Sequence, residues 1–144
     1  MVKIRNAHLA DADVLVDLLA QLGYSAQGYI KEKIATLLRH PDAALLVAEQ
    51  DQQVLGFISL HFIPQIALEG DFCRISYFCV DDKQTSQGVG KLLIEHAEQM
   101  ASEHGCDRME VHSGSRRLRA HQFYTRQEYE ESPKYFIKMV ARLT

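Results

Sequence analysis

The chain has 144 residues, 47% of them hydrophobic, and a formal net charge of −3. That suits a single domain, 1–144, with a proper core, and the lack of a dense Lys/Arg stripe argues against a nucleic-acid binder. No apolar run approaches the roughly 20 residues of a membrane span, and Met1-Val2-Lys3-Ile4-Arg5 lacks the apolar core of a signal peptide, so a cytoplasmic protein with no membrane partner is expected.

Lys3 to Asn6 reads as a short first strand. A helix follows from about Asp11 to Leu22, with Val14, Leu15, Leu18 and Leu19 on one face, and Gly23-Tyr24-Ser25 breaks it. The second helix, roughly Tyr29 to Arg39, carries Ile30, Ile34, Leu37 and Leu38 at helical spacing and stops at His40-Pro41, where proline forbids continuation. Ala43 to Glu49 and Gln53 to Ile63 read as a hairpin around a polar Gln50-Asp51-Gln52 turn. Asp71 to Val80, rich in β-branched, aromatic and cysteine residues, is the next strand.

After a glycine turn a helix runs to about His104 and Gly105, with Val89, Leu93, Ala97 and Met100 on one face. A strand from Arg108 to Ser113 and a helix from about Arg116 to Gln127 come next. Tyr129 to Ser132 and Tyr135 to Ala141, separated by Pro133, read as two closing strands. The order β-α-α-β-β-β-α-β-α-β-β predicts an α/β (α+β) fold: a mixed, mostly antiparallel sheet of about seven strands, flanked on both faces by about four helices.

Cys73, Cys79 and Cys106 are odd in number and have no metal-type spacing, which favours buried free thiols. No metal is expected. Arg116, Arg117 and Arg119 form the one basic cluster, suited either to solvent or to a polyanionic small ligand.

Ser86-Gln87-Gly88-Val89-Gly90-Lys91-Leu92-Leu93 turns a strand into a helix. Such a junction offers unpaired N–H groups and a positive dipole end to a phosphate. It is neither of two familiar motifs: Thr85 and Leu92 stand where a Walker loop needs Gly and Ser/Thr, and Leu93 stands where a dinucleotide fingerprint needs its third glycine. A plain turn before a helix would look the same.

With Arg119-Ala120-His121-Gln122-Phe123-Tyr124 and Tyr129, this turn and the element order resemble the GCN5-related N-acetyltransferase (GNAT) superfamily over essentially the whole chain. The resemblance implies that acetyl-coenzyme A is the co-substrate. Its pantetheine arm would lie along the backbone of Phe78, Cys79 and Val80, and its pyrophosphate would sit in the turn formed by Thr85, Ser86, Gln87, Gly88, Val89, Gly90 and Lys91. Thr85 departs from the family's Arg/Gln, Ser86 stands where a further glycine is common, and Arg117 replaces an Asn that touches the cofactor. Glu128 stands where Gly usually precedes the aromatic residue.

The resemblance also puts Tyr124 where the family often has the tyrosine that protonates the departing thiolate, although Ala120, Phe123 and Tyr124 at helical spacing equally suit a core stripe. It puts Tyr77 where many members have a glutamate base. An amine must lose a proton before it attacks, and a neutral phenol is a poor base that can still anchor a water. The base is therefore open among His61, His112 and His121. Glu69, Asp71, Glu130 and Glu131 hint at a cationic acceptor, and Gln21 to Gly28 and Glu131 to Lys134 would form its site.

The implied activity is acetyl transfer to a primary amine by direct attack, and the C-terminal block looks most like members acting on small amines, including aminoalkylphosphonate and aminoglycoside acetyltransferases. A non-catalytic coenzyme A-binding regulator and a protein lysine or N-terminal acetyltransferase are the alternatives. A homodimer is compatible with either.

Overall fold

The computed structural model describes the chain outside residues 85–87, 113–117, 132–135 and 143–144, and describes the backbone alone at 118 and 119. The chain divides into two compact units, Met1–His112 and Ser113–Thr144. The first holds strands β1 (Lys3–Asn6), β2 (Ala43–Gln50), β3 (Gln53–Ile63), β4 (Asp71–Val80) and β5 (Cys106–Val111), with helices α1 (Ala12–Gln21), α2 (Ile30–Arg39) and α3 (Val89–Glu103). The second holds α4 (Leu118–Arg126).

The five strands lie in chain order, β1-β2-β3-β4-β5. Neighbours pair antiparallel up to β4, and β5 pairs parallel with β4 after the α3 crossover. The β2–β3 hairpin closes at Gln50–Gln53 around Asp51 and Gln52, both at positive φ, so the predicted polar turn takes the twist that suits a two-residue hairpin.

Residues Leu55 to Leu60 of β3 are buried without interruption, because this central strand is covered on both faces. On one face Leu15 and Leu18 of α1 and Ile34 of α2 pack with Leu45, Val47, Phe57 and Cys79. Leu93, Ile94, Ala97 and Ala101 are the buried stripe of α3, which packs on β3, β4 and β5. At the start of α1, Asp11 accepts hydrogen bonds from Arg5 and from the His8 N–H, and these hold its carboxyl below the usual carboxylate range despite partial burial.

The expected seven strands are five among the described residues, and the order ends on α4. Residues 129–131 and 136–142 carry no strand, and Phe136, Ile137, Met139 and Val140 are 80–91% exposed. Alternating aromatic and branched residues give a segment strand character. They do not give it the neighbour whose N–H and C=O groups complete a ladder.

Candidate active site

The β4–β5 ladder runs from Asp71–Cys106 to Ile75–Val111 and ends there among the described residues, while β4 continues to Val80. A bulge sits at this point. Ser59 pairs with Tyr77 and Leu60 with Ile75, so Ser76 is inserted between them. Beyond it Tyr77, Phe78, Cys79 and Val80 follow β3 down to Gly56, where a Cβ would come within 2.8 Å of the Cys79 carbonyl oxygen. Glycine permits that approach.

From Val80 the chain passes through a 3-10 turn, Asp82–Gln84, to Gly88, which precedes α3 with φ +78°. Among the described residues, nothing stands within 4 Å of the place where a Gly88 side chain would begin. Val89 and Leu93, both buried, fix the first turn of α3 in the core, and the exposed Lys91 is on that turn, which carries no acidic residue. Open space above an αL glycine at a helix start suits a pyrophosphate. Gly90 is half-buried inside α3. Thr85, Ser86, Gln87 and Arg117, all expected at the cofactor, lie outside the described residues.

The predicted break at Gly23 is a Schellman motif: Gly23 takes φ +95°, its N–H donates to Ala20 O, and the Tyr24 N–H donates to Leu19 O. This closure delivers the Tyr24 ring edge-on to Tyr77, with centroids 5.3 Å apart and planes at 86°. Both rings are about half exposed. Gln21 reaches the end of β4, donating to Asp81 at 3.4 Å and accepting from the Asp82 N–H at 3.1 Å. Hydrogen bonds from the Lys83 N–H and then Gln21 hold the Asp81 carboxyl below its ordinary value. Thus Gln21 and Tyr24, from the expected acceptor segment, meet the strand that leads to the glycine turn. Gln27 and Gly28 instead line a concavity of about 760 Å³ with Asp13, Asp17 and Glu32, and Tyr77 is not among its lining residues.

The bulged Ser76 has a partner that sequence reasoning missed: its hydroxyl lies 2.7 Å from Nδ1 of His61. Burial pushes the His61 imidazole below its ordinary value, and the electrostatic influence of His40 and Arg74 acts in the same direction. Arg74 bonds Glu110 of β5 at 2.8 Å, while its Nε is buried with no hydrogen-bond partner among the described residues. A serine before a tyrosine in an apolar strand carries no periodic signal, and the bulge emerges only from pairing.

The other expected residues divide. Asp71 begins β4 and accepts the Gln65 N–H, so with Glu69 it belongs to the end of the strand away from the glycine turn. His112 follows β5 and is exposed. Cys73 and Cys79 are buried free thiols as expected, while Cys106 is partly exposed. Burial pushes the Cys73 thiol up to about 12. The Cys79 thiol donates to Leu18 O at 3.4 Å, so this side chain faces α1. Among the described residues no group of His, Cys, Asp and Glu side chains is arranged to hold a metal ion, and no helix is long and apolar enough to cross a membrane.

In the second unit Tyr124 is half-buried on α4, its ring 5.6 Å from Phe123 and 5.8 Å from Tyr129. His121 is also half-buried, and its carbonyl accepts the Thr125 hydroxyl. Glu130 and Glu131 are exposed, and the remainder of the expected Glu131 to Lys134 turn lies outside the described residues.

Comparison with known proteins accords with this geometry. A family model described as the acetyltransferase (GNAT) family matches residues 13–129. The aminoalkylphosphonate N-acetyltransferase of Salmonella typhimurium is 27% identical over 138 residues, which cover 94% of this chain and 90% of that protein. An N-acetyltransferase of Chlorobaculum tepidum is 29% identical over 144 residues, covering 96% and 83%. Among solved structures, an aminoglycoside acetyltransferase from an uncultured soil metagenomic sample superposes with TM-score 0.81 at 22% identity, covering 97% of each chain. A transcriptional regulator from Bacillus halodurans superposes with TM-score 0.89 at 19% identity, covering 97% of this chain and all of that one. At those identities the two superpositions speak for the fold alone.

Proposed function

This chain belongs to the acetyltransferase (GNAT) family, and we propose that it moves the acetyl group of acetyl-coenzyme A to the primary amine of a small molecule by direct attack. The junction at Gly88 carries the reading: a left-handed glycine with no other described residue within 4 Å of its missing side chain, directly before a first turn of α3 anchored by the buried Val89. We assign the pyrophosphate to the turn from Thr85 to Lys91 and the pantetheine arm to the backbone of Phe78, Cys79 and Val80, where β4 has run past its last pair with β5. The family match spans the boundary between the two units, which supports one functional domain over 1–144.

In the proposed reaction the acceptor amine loses a proton, its nitrogen bonds to the thioester carbonyl carbon, and the carbon–sulfur bond breaks. Tyr124 is assigned to protonate the thiolate. Tyr77, half exposed and steadied by Tyr24, is assigned to hold a water beside the amine. The relatives' own activities suggest the first acceptors to try, aminoalkylphosphonates and aminoglycosides.

The test is thiol release on mixing the protein with acetyl-coenzyme A and a panel of these amines, beside a panel of lysine peptides. Release with a small amine is the expected result. Release with peptides alone would move the activity to proteins, and coenzyme A binding without release to any acceptor would favour the regulator.

A further inference from the structure

The sheet carries a titratable pair that the proposed chemistry has not used. His61 on β3 and the inserted Ser76 on β4 meet at 2.7 Å, beside Tyr77 and at the point where β4 passes its last pair with β5. Ser76 lies roughly 13 Å back along the strand from Val80 at about 3.3 Å per residue. An extended arm laid on β4 from a pyrophosphate at the glycine turn therefore carries its thioester toward this bulge.

We infer that the His61–Ser76 pair takes the proton from the acceptor amine, with Ser76 Oγ facing the ammonium and passing the proton to Nδ1 of His61. The inference rests on the acetyl-transfer reading above. One ammonium proton passes to Ser76 while the serine hydroxyl proton moves to His61, leaving the amine lone pair free. That pair forms the nitrogen–carbon bond, the carbon–sulfur bond gives its electrons to sulfur, the thiolate takes a proton from Tyr124, and the nitrogen's second proton leaves to solvent, from which the Tyr124 phenolate regains one. His61 returns its proton to solvent.

The surroundings suit this role. His40 follows α2, Arg74 comes from β4 with its partner Glu110 on β5, and the β2 residue paired with His61 is Ala43. Burial, with Arg74 and His40 acting the same way, pushes the ring below its ordinary value, toward the neutral state in which it accepts a proton. Tyr77, at the position of the family's usual glutamate, cannot fill that role as a neutral phenol. A purely structural hydrogen bond across the strands would join the same atoms, and titration separates the two.

The experiment compares the parent, His61→Asn and Ser76→Ala by kcat/KM against pH with an amine that the parent turns over, and by calorimetry with acetyl-coenzyme A. Asn keeps a hydrogen bond to Ser76 and does not titrate in this range. For His61→Asn the expected result is a kcat loss of at least about tenfold, disappearance of the acid limb, partial rescue by added imidazole and unchanged acetyl-coenzyme A affinity. Ser76→Ala should lower kcat at least threefold by about the same logic and displace the limb. A His61→Asn protein within twofold of the parent, with the limb in place, overturns the inference and leaves acetyl transfer standing. Should that variant fail to fold, an unchanged rate and pH profile in Ser76→Ala overturns it equally. A parent that releases no thiol with any amine removes the acetyl-transfer reading, and this inference with it.

Discussion

The C-termini of α1 and α4 are closed by the same hydrogen-bond pattern built from different residues. In α1 the Gly23 and Tyr24 N–H groups return to Ala20 and Leu19, and in α4 those of Glu128 and Tyr129 return to Thr125 and Tyr124. Each places a tyrosine just past a left-handed residue and against a second tyrosine, Tyr77 in one case and Tyr124 in the other. The left-handed residue is Gly23 in α1 and Glu128, at φ +68°, in α4. An L side chain in that conformation costs about 1–2 kcal/mol. The motif is therefore decided by where the chain must go next. The residue at its pivot sets only the cost.

Gly88 sharpens the comparison, being left-handed at the start of a helix, where Gly23 is left-handed at the end of one. Among the described residues, neither has an atom within 4 Å of its missing side chain. Gly88→Leu and Gly23→Leu should each lose about 1–2 kcal/mol of stability, the backbone cost alone. Only Gly88→Leu should lose coenzyme A affinity, by about thirtyfold or more, since one charge-assisted hydrogen bond contributes about 2 kcal/mol. Chemical denaturation and calorimetry measure the two quantities separately. Equal affinity in the two folded variants would remove the pyrophosphate from this turn.

The two tyrosines give the next largest difference. Tyr124→Phe keeps the ring against Tyr129 and deletes the proposed acid, so kcat should fall by at least about tenfold with coenzyme A affinity unchanged. Tyr77→Phe removes only a water anchor, and about two- to fivefold is expected if His61 and Ser76 move the proton. A Tyr124→Phe enzyme within twofold of the parent would return that residue to the core. A larger loss at Tyr77 than at Tyr124 would invert the assignment.

Much of this was legible because local rules decided it. Gly23 after an apolar helical stripe, His40-Pro41 after Arg39, and the polar turn between two apolar strands each name their own structure, and β1, β3 and β4 have the predicted bounds. The strand-to-helix junction at Gly88 was likewise expected on local grounds, while its left-handed φ was not. Illegible were features made by two distant segments: the Ser76 bulge and its His61 partner, Tyr24 against Tyr77, and Gln21 bridging to Asp81 and Asp82. The closing strands were over-read for the same reason. Tyr135 to Ala141 has the right residue types, and a strand exists only with a neighbour.

Glu128 offers the smallest effect and the most direct test of the opening comparison. Its N–H already donates to Thr125 O, and the Tyr129 N–H to Tyr124 O, so Glu128→Gly should keep every hydrogen bond of the motif while removing the left-handed penalty. Glycine also has more freedom to lose on folding, which takes back part of that gain. The net expectation is a stabilisation of about 0.5–1 kcal/mol, read as a shift in the denaturation midpoint at unchanged slope. Because the Tyr129 ring stays against Tyr124, kcat should hold within about twofold. Destabilisation on removing the Glu128 side chain would mean that the glutamate makes a contact stronger than its backbone cost. A gain in stability with a large loss of kcat would mean instead that the strain at this helix end is used to position Tyr124.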